Sequence, residues 1–261
     1  MKRLVFALVG IGVFALAQPS ALAQAQGEQP PRSMASLKEE VVVATRILFD
    51  AGFLDTAGHV SVRLDATRFL LPWRRAPELV VTDDVMEYDV DGRAADARGR
   101  ALVLERFIHA EIYRARPDVT AVVHGHTPSL LLFSSSNIPL RPLFAGAGFI
   151  GERVPAFRNG DAGGGVNSAE LGRGLAEALG KGGAVLMRGH GVVVVAPSAV
   201  ALIQRAMNLD TNAQLVAQLL AMGDKEPLYI RPNPGAGGGG GGDNAREWEA
   251  YKRRAEILMK R

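Results

Sequence analysis

Two histidines one residue apart close an apolar run in "AVVHGHTPSLLLFS", Ala121 to Ser134. On a strand, alternate residues share a face, so His124 and His126 point the same way, as two imidazoles must to meet one ion. A third imidazole, His190, sits in "RGHG", where glycines permit a tight backbone turn that carries the ring inward. Glu105 lies on the helical pattern just before the HxH strand. A helix docked on the sheet can hold that carboxylate over the same point. The chain contains no cysteine, so any metal site must use His, Asp or Glu. Three neutral imidazoles with an open position describe a catalytic site rather than a closed structural one.

Taken alone, HxH also fits two ordinary histidines at a strand end. Two familiar metal architectures do not fit. A cupin-like site wants a glutamate a few residues after the second histidine, and Thr127 to Phe133 has none. A metallo-β-lactamase-like site wants Asp-His immediately after, where "TPS" stands.

The elements that must position these residues are legible as an α/β pattern. Ser36, with Glu39 three residues on, predicts a capping box that opens a helix. Leu37, Val41, Ala44 and Leu48 are its apolar stripe, and Gly52 ends it. Short strands are expected at "HVSVRL", "RFLL", "ELVVT" and "EYDV", followed by a turn at Asp91-Gly92. "LERFIHAEIYRARP" predicts a helix stopped by Pro117, and "TAVVHGH" a buried strand. Thr127-Pro128 then opens a helix, threonine at the N-cap and proline at N1. A helix over Asn167 to Leu179, a strand-turn-strand unit in "GAVLMRGHGVVVVA" and a long helix between Pro197 and Gly223 complete the domain. The expected architecture is one domain over 36–234, with helices flanking a mainly antiparallel sheet.

The ends differ in kind from this domain. Lys2 and Arg3, the uncharged run from Leu4 to Ala17 and "ALA" at Ala21 to Ala23 form the three parts of a secretory signal peptide. The run is shorter than the ~20 apolar residues a spanning helix needs. Cleavage after Ala23 and a periplasmic or secreted product are expected, with a flexible leader over 24–35. Two of the 30 basic residues leave with the signal, which nearly balances the 27 acids. The basic pI of the precursor therefore gives no case for a nucleic-acid partner or a membrane-bound mature chain. Gly235 to Gly242 reads as a flexible linker to a C-terminal helix over 243–261, with Trp248, Tyr251, Ala255 and Leu258 on one face.

The combination of "LERFIHAEIYRARPDVTAVVHGHTP" with the later "RGHG" resembles the class II aldolase/adducin family, and the resemblance runs from about Ser36 to Gly223. It implies a three-layer α/β/α class II aldolase-like fold. It also implies a divalent metal held by His124, His126 and His190, with Glu105 as the catalytic acid/base that can reach the metal. The family's enzymes usually assemble as tetramers with sites between subunits. The resemblance thus implies a homotetramer, and C-terminal residues such as Trp248 and Tyr251 are candidates to reach a neighbouring subunit's site.

Departures from the family pattern narrow the chemistry. Its sugar-phosphate enzymes place two serines before the glutamate, where this chain has Val103 and Leu104. A phosphate dianion buried against them would be left unpaired. The usual loop asparagine is His59, and the aldolases' assisting tyrosine has no clear counterpart in "PLFAGAGFIG". "GHVSVR", "RAPELV" and the motif helix instead resemble the branch containing decarboxylases of hydroxylated aromatic or pyridine dicarboxylates. A carbon-carbon lyase is therefore expected, acting on a small non-phosphorylated hydroxy or keto carboxylate, with decarboxylation preferred over retro-aldol cleavage. His59 and Arg63, or Arg74 and Arg75 in "PWRRAP", are the candidates to bind a substrate carboxylate. His109, one turn after Glu105, is expected to pack or support, and Asp83 and Asp84 to shape turns. A chain that collects its metal outside the cytoplasm favours zinc, with manganese or iron as alternatives. A silent adducin-like scaffold and a metal-dependent oxygenase are the competing functions.

Overall fold

A computed structural model describes residues 32–158, 164–232 and 244–260. The signal peptide, most of the leader and the Gly-rich linker lie outside the described residues. Among the described residues no helix is long and apolar enough to cross a membrane.

Helix α1 (Met34–Asp50) opens earlier than the Ser36 capping box predicts. Ser33 is the N-cap, its Oγ accepting the Ser36 N–H, so Ser36 already lies inside the helix. The expected stripe of Leu37, Val41, Ala44 and Leu48 is buried. Strands β1 (His59–Arg63), β2 (Arg68–Pro72) and β3 (Val85–Asp89) form an antiparallel meander. The "ELVVT" strand is not formed. Short 3-10 turns occupy Pro77–Leu79 and Thr82–Asp84, because the Asp84 carboxylate accepts the Val81 N–H and folds the segment back.

Helix α2 (Arg106–Ala115) precedes β4 (Ala121–Gly125), which leads into α3 (Pro128–Ser134). Thr127 caps α3 by accepting the Leu130 N–H, with Pro128 at the first position. A short strand, β5 (Ala156–Phe157), precedes α4 (Ala169–Leu179), whose cap is Ser168. Strands β6 (Ala184–Met187) and β7 (Gly191–Ala196) form a hairpin, and α5 (Ala199–Ala221) follows. Helix α6 (Asn244–Leu258) lies at the C-terminal end.

The seven strands make one sheet in the order β3-β2-β1-β4-β7-β6-β5. Every pairing is antiparallel except β5 along β6. Strand alternation divides the core into two layers. Val60, Val62, Ala121, Val123, Val192 and Val194 face α1, α3 and α5. Val122, Val185, Val193 and Val195 face α2 and α4. The result is helix on sheet on helix, with β4 at the centre. Strand register aligns His59 with His124 and His124 with Val193. That places both histidines at the same end of adjacent central strands.

The β6–β7 turn supplies the conformation that "RGHG" predicts. Gly189 has φ +62°, a left-handed value that few residues other than glycine adopt easily. A Cβ on Gly191 would stand 2.5 Å from the Gly125 carbonyl oxygen and 2.7 Å from the His126 ring. Gly191→Ala is therefore expected to destabilise the protein by about 1–3 kcal/mol through overpacking. Denaturant unfolding of the variant beside wild type measures this.

Candidate metal centre

Three pieces of backbone deliver the four cluster residues. His124 comes from the end of β4 and His126 from just beyond it. His190 comes from the β6–β7 turn, and Glu105 from the N-terminal edge of α2. The sequence pattern places Glu105 on the helix, but in the structure it lies just outside it. It stands at the N-cap position, which frees its side chain to swing across the sheet.

Ligand atoms of Glu105, His124, His126 and His190 all lie within 4.8 Å of one another. His124 Nε2 is 2.9 Å from His126 Nε2 and 3.3 Å from His190 Nε2. The Glu105 carboxylate closes the cluster, Oε2 at 3.3 Å from His124 Nε2 and Oε1 at 3.3 Å from His190 Nε2. Backbone amide Val166 donates to Oε1 at 2.9 Å, which fixes the carboxylate's orientation.

The supporting hydrogen bonds set the imidazole tautomers. His124 donates from Nδ1 to the Val192 carbonyl at 3.0 Å, and His126 donates from Nδ1 to Asp55 Oδ1 at 3.0 Å. Both Nε2 atoms then carry lone pairs, and two lone pairs at 2.9 Å repel unless positive charge lies between them. Tetrahedral zinc with Zn–N of about 2.0–2.1 Å has N···N edges of about 3.3 Å, close to the separations here. The donor set fits a divalent cation.

Burial alone would push the Glu105 carboxyl up. Hydrogen bonds from the His124 and His190 rings, with charge from His124 and His59, outweigh burial and hold it well below the usual carboxylate range. Burial would likewise raise Asp55, but the His126 ring and the Ala57 and Gly58 amides hold it low.

Glu105 also lines a cavity of about 560 Å³, together with His59, Trp73, Arg74, Arg75, Val103 and Leu104. Trp73 donates from Nε1 to Asp84 Oδ1 at 2.7 Å, and Arg75 pairs with Asp84 Oδ2 at 3.0 Å. Asp84 thus anchors the loop, and Arg75 is partly committed to it. Arg74 is exposed on the cavity wall and makes no side-chain ion pair among the described residues.

The candidate Arg63 is placed elsewhere. Its guanidinium donates to the carbonyls of Val119, Tyr113 and Arg116 and lies over the Tyr113 ring. Those bonds tie β1 to the end of α2 and leave no fork for a substrate. Trp248 and Tyr251 pack, partly buried, against the core of their own chain, where α6 meets α1. Lys252 reaches Glu39 at 3.5 Å and Arg254 pairs with Asp50.

His109 is fully buried and supports His59, the two rings joined Nε2 to Nδ1 at 2.7 Å. Burial and the charge of His124 push His109 down to about 3. Burial, then His109 and His124, holds His59 well below its ordinary value. Sequence reasoning missed Asp55, which is 71 positions from His126 and carries no local signal. It also missed the Val166 amide.

The chain matches the model of the Class II Aldolase and Adducin N-terminal domain over residues 39–217. It is 30% identical over 207 residues to 3,4-dihydroxyphthalate decarboxylase of Arthrobacter keyseri, covering 74% of this chain and 82% of that one. It is 33% identical over 181 residues to decarboxylase tropJ of Talaromyces stipitatus, covering 62% and 68%. Among solved structures, an aldolase II superfamily protein from Pseudomonas syringae superposes with a TM-score of 0.70 at 22% identity, over 88% of this chain and 94% of that one. The chain belongs to the class II aldolase/adducin family. Within it, the chain is an enzyme of the metal-dependent lyase type.

Removing the carboxylate behind a ligating imidazole typically weakens metal binding about 10–100-fold. Asp55→Ala is expected to lose affinity in that range while keeping the fold, as measured by chelator competition and circular dichroism.

Proposed function

We propose that the protein is an exported decarboxylase of a small, non-phosphorylated hydroxy or keto carboxylate, with zinc as its metal. The observation that carries this reading is the position of Glu105. It closes the histidine cluster and lines a cavity whose other wall offers Arg74 and whose approach offers Val103 and Leu104. A cavity with one unpaired arginine suits a carboxylate, which the planar guanidinium can bind through both oxygens. It offers little to a phosphate dianion, which needs several donors at once. The similarity to the 3,4-dihydroxyphthalate decarboxylase supports an aromatic substrate of the same chemical class.

A divalent cation held by His124, His126, His190 and Glu105 would supply Lewis acidity toward adjacent oxygen substituents of the substrate. The chain's own residues account for the proton. Glu105 is ionised, so it first accepts the proton of a substrate hydroxyl. Once the C–C bond breaks and carbon dioxide leaves, the protonated Glu105 returns that proton to the carbon. The product leaves as a phenolate or enolate and regains its proton from water. Arg74 orients the carboxylate that stays, and Val103 and Leu104 keep water from the carbon.

Export rests on the N-terminal signal pattern, with cleavage after Ala23. Zinc follows from metal acquisition outside the cytoplasm, and a homotetramer from the family resemblance.

A carbon dioxide release assay over hydroxy-aromatic and keto-acid dicarboxylates, with zinc-reconstituted protein, tests the reaction. Release is expected, with Glu105→Gln lowering kcat by about 10²–10⁴. Unchanged turnover in Glu105→Gln overturns the mechanism, and oxygen uptake with iron bound points to the oxygenase instead. Protein purified from the periplasm is expected to start at Gln24, to carry about one zinc per chain and to scatter light as a tetramer. Stoichiometric manganese or iron overturns the zinc assignment.

A further inference from the structure

The face of the sheet that carries the metal cluster also carries a second set of polar groups, which the mechanism above does not use. His59, Ser61, His109 and Tyr113 form a continuous chain inside the layer between β1 and α2. His59 Nδ1 and His109 Nε2 are 2.7 Å apart, His109 Nδ1 and Ser61 Oγ 2.6 Å, and Ser61 Oγ and the Tyr113 hydroxyl 2.8 Å. All four residues are buried. At the near end the chain stops at one atom. His59 Nε2 is buried and has no hydrogen-bond partner, yet His59 is part of the cavity wall beside Glu105. The His59 ring centroid lies 5.2 Å from that of His124. A buried polar nitrogen without a partner is costly in a finished core, so its retention at the wall of a cavity points to a ligand.

Two arrangements run every proton in one direction along the chain. In the first, Tyr113 donates to Ser61, Ser61 to His109 Nδ1, and His109 Nε2 to His59 Nδ1. The His59 proton is then on Nε2, the atom that has no hydrogen-bond partner, and makes it a donor. In the second every bond is reversed, and His59 Nε2 presents a lone pair. Both rings stay neutral in either arrangement, and no charge is created when the chain reverses. An oxyanion beside His59 selects the first arrangement, because a lone pair would repel it. The cation on the cavity wall, Arg74, favours the same ligand charge.

We infer that Ser61, His109 and Tyr113 are positioning residues that set the tautomer of His59, so that its Nε2–H donates to an oxyanion of the bound substrate. The inference rests on the carboxylate-binding reading above but not on the decarboxylation step. It makes His59 a specificity element: the site distinguishes an anionic oxygen from a neutral amide of the same shape through a proton held in place from deeper in the core.

The test is binding, not turnover. Calorimetry on the zinc-loaded protein compares phthalate with phthalamide, its neutral analogue, in wild type, Ser61→Ala and Tyr113→Phe. Each variant is expected to weaken phthalate binding about two- to tenfold, the worth of one neutral hydrogen bond, and to leave phthalamide unchanged. Ser61→Thr, which keeps the hydroxyl, is expected to restore phthalate binding. Nitrogen-15 NMR of the wild-type phthalate complex should show His59 protonated on Nε2, and this readout decides the matter even if the variants fold poorly. Equal weakening of both ligands, failure of wild type to bind phthalate, or a His59 ring protonated on Nδ1 in the complex would overturn the inference. If no carboxylate yields carbon dioxide while phthalate discrimination is lost in Ser61→Ala, the relay stands and the decarboxylase reading falls.

Discussion

The register of β4 against its two neighbours is the constraint on which the site depends, since it decides which way every central side chain points. With His59 opposite His124, and His124 opposite Val193, the histidines share the face that looks toward α2. A slip of one residue would invert the strand, turning His124 into the α1 and α5 layer and Val123 toward the histidine–glutamate cluster. The apolar residues of the central strands resist this on both sides. Ala121, Val122 and Val123 on β4, and Val192, Val193, Val194 and Val195 on β7, alternate between two layers that are both buried. The hydrophobic pattern thus fixes the chemistry, although none of these residues belongs to the ligand cluster.

Given that register, the cluster needs only short excursions beyond the strands. His126 leaves β4 by one residue and is caught by Asp55, while His190 is held in a tight turn by a bond from its N–H to the Met187 carbonyl. Glu105 is the exception, because it must cross from the helical layer to the sheet. Its place at the edge of α2 makes that possible, and the Val166 amide holds it there. Burial of a carboxylate is unfavourable alone, but contacts with the His124 and His190 rings and the Val166 amide offset it. The same layer tolerates His109, Ser61 and Tyr113 because each finds a partner within it.

Much of this was legible in the amino-acid sequence, for reasons that are local. Strand alternation placed His124 and His126 on one face, glycines marked the His190 turn, and Thr127-Pro128 marked the start of α3. The family resemblance added the link between Glu105 and the histidines, which periodicity alone does not supply. The misreadings share a different cause. "ELVVT" has the composition of a strand, but the bonds of Asp84 to Val81, Trp73 and Arg75 turn the segment into a loop. Arg63 carries the charge of a substrate ligand and is consumed by three carbonyls at and beyond the end of α2. Asp55 and Ser61 have partners fixed only by tertiary packing. Contacts set by neighbours in sequence were readable; contacts set by the sheet's long-range pairing were not.

The division of charge around the cavity has a further consequence for substrate choice. One arginine of the wall is tied to Asp84, and the other makes no side-chain ion pair among the described residues. On the proposed decarboxylase reading, a substrate with two anionic groups would place one at Arg74 and the other near the histidine cluster, where a divalent cation would neutralise it. Adjacent carboxylates on a flat ring can meet that demand because the ring keeps them at a fixed separation. A flexible phosphorylated sugar gains less, since ordering it costs conformational entropy and Val103 and Leu104 return no hydrogen bonds. The absence of side-chain donors at Val103 and Leu104 and the open Arg74 on the same cavity wall are the two features on which the proposed preference for a rigid carboxylate over a phosphate ester rests.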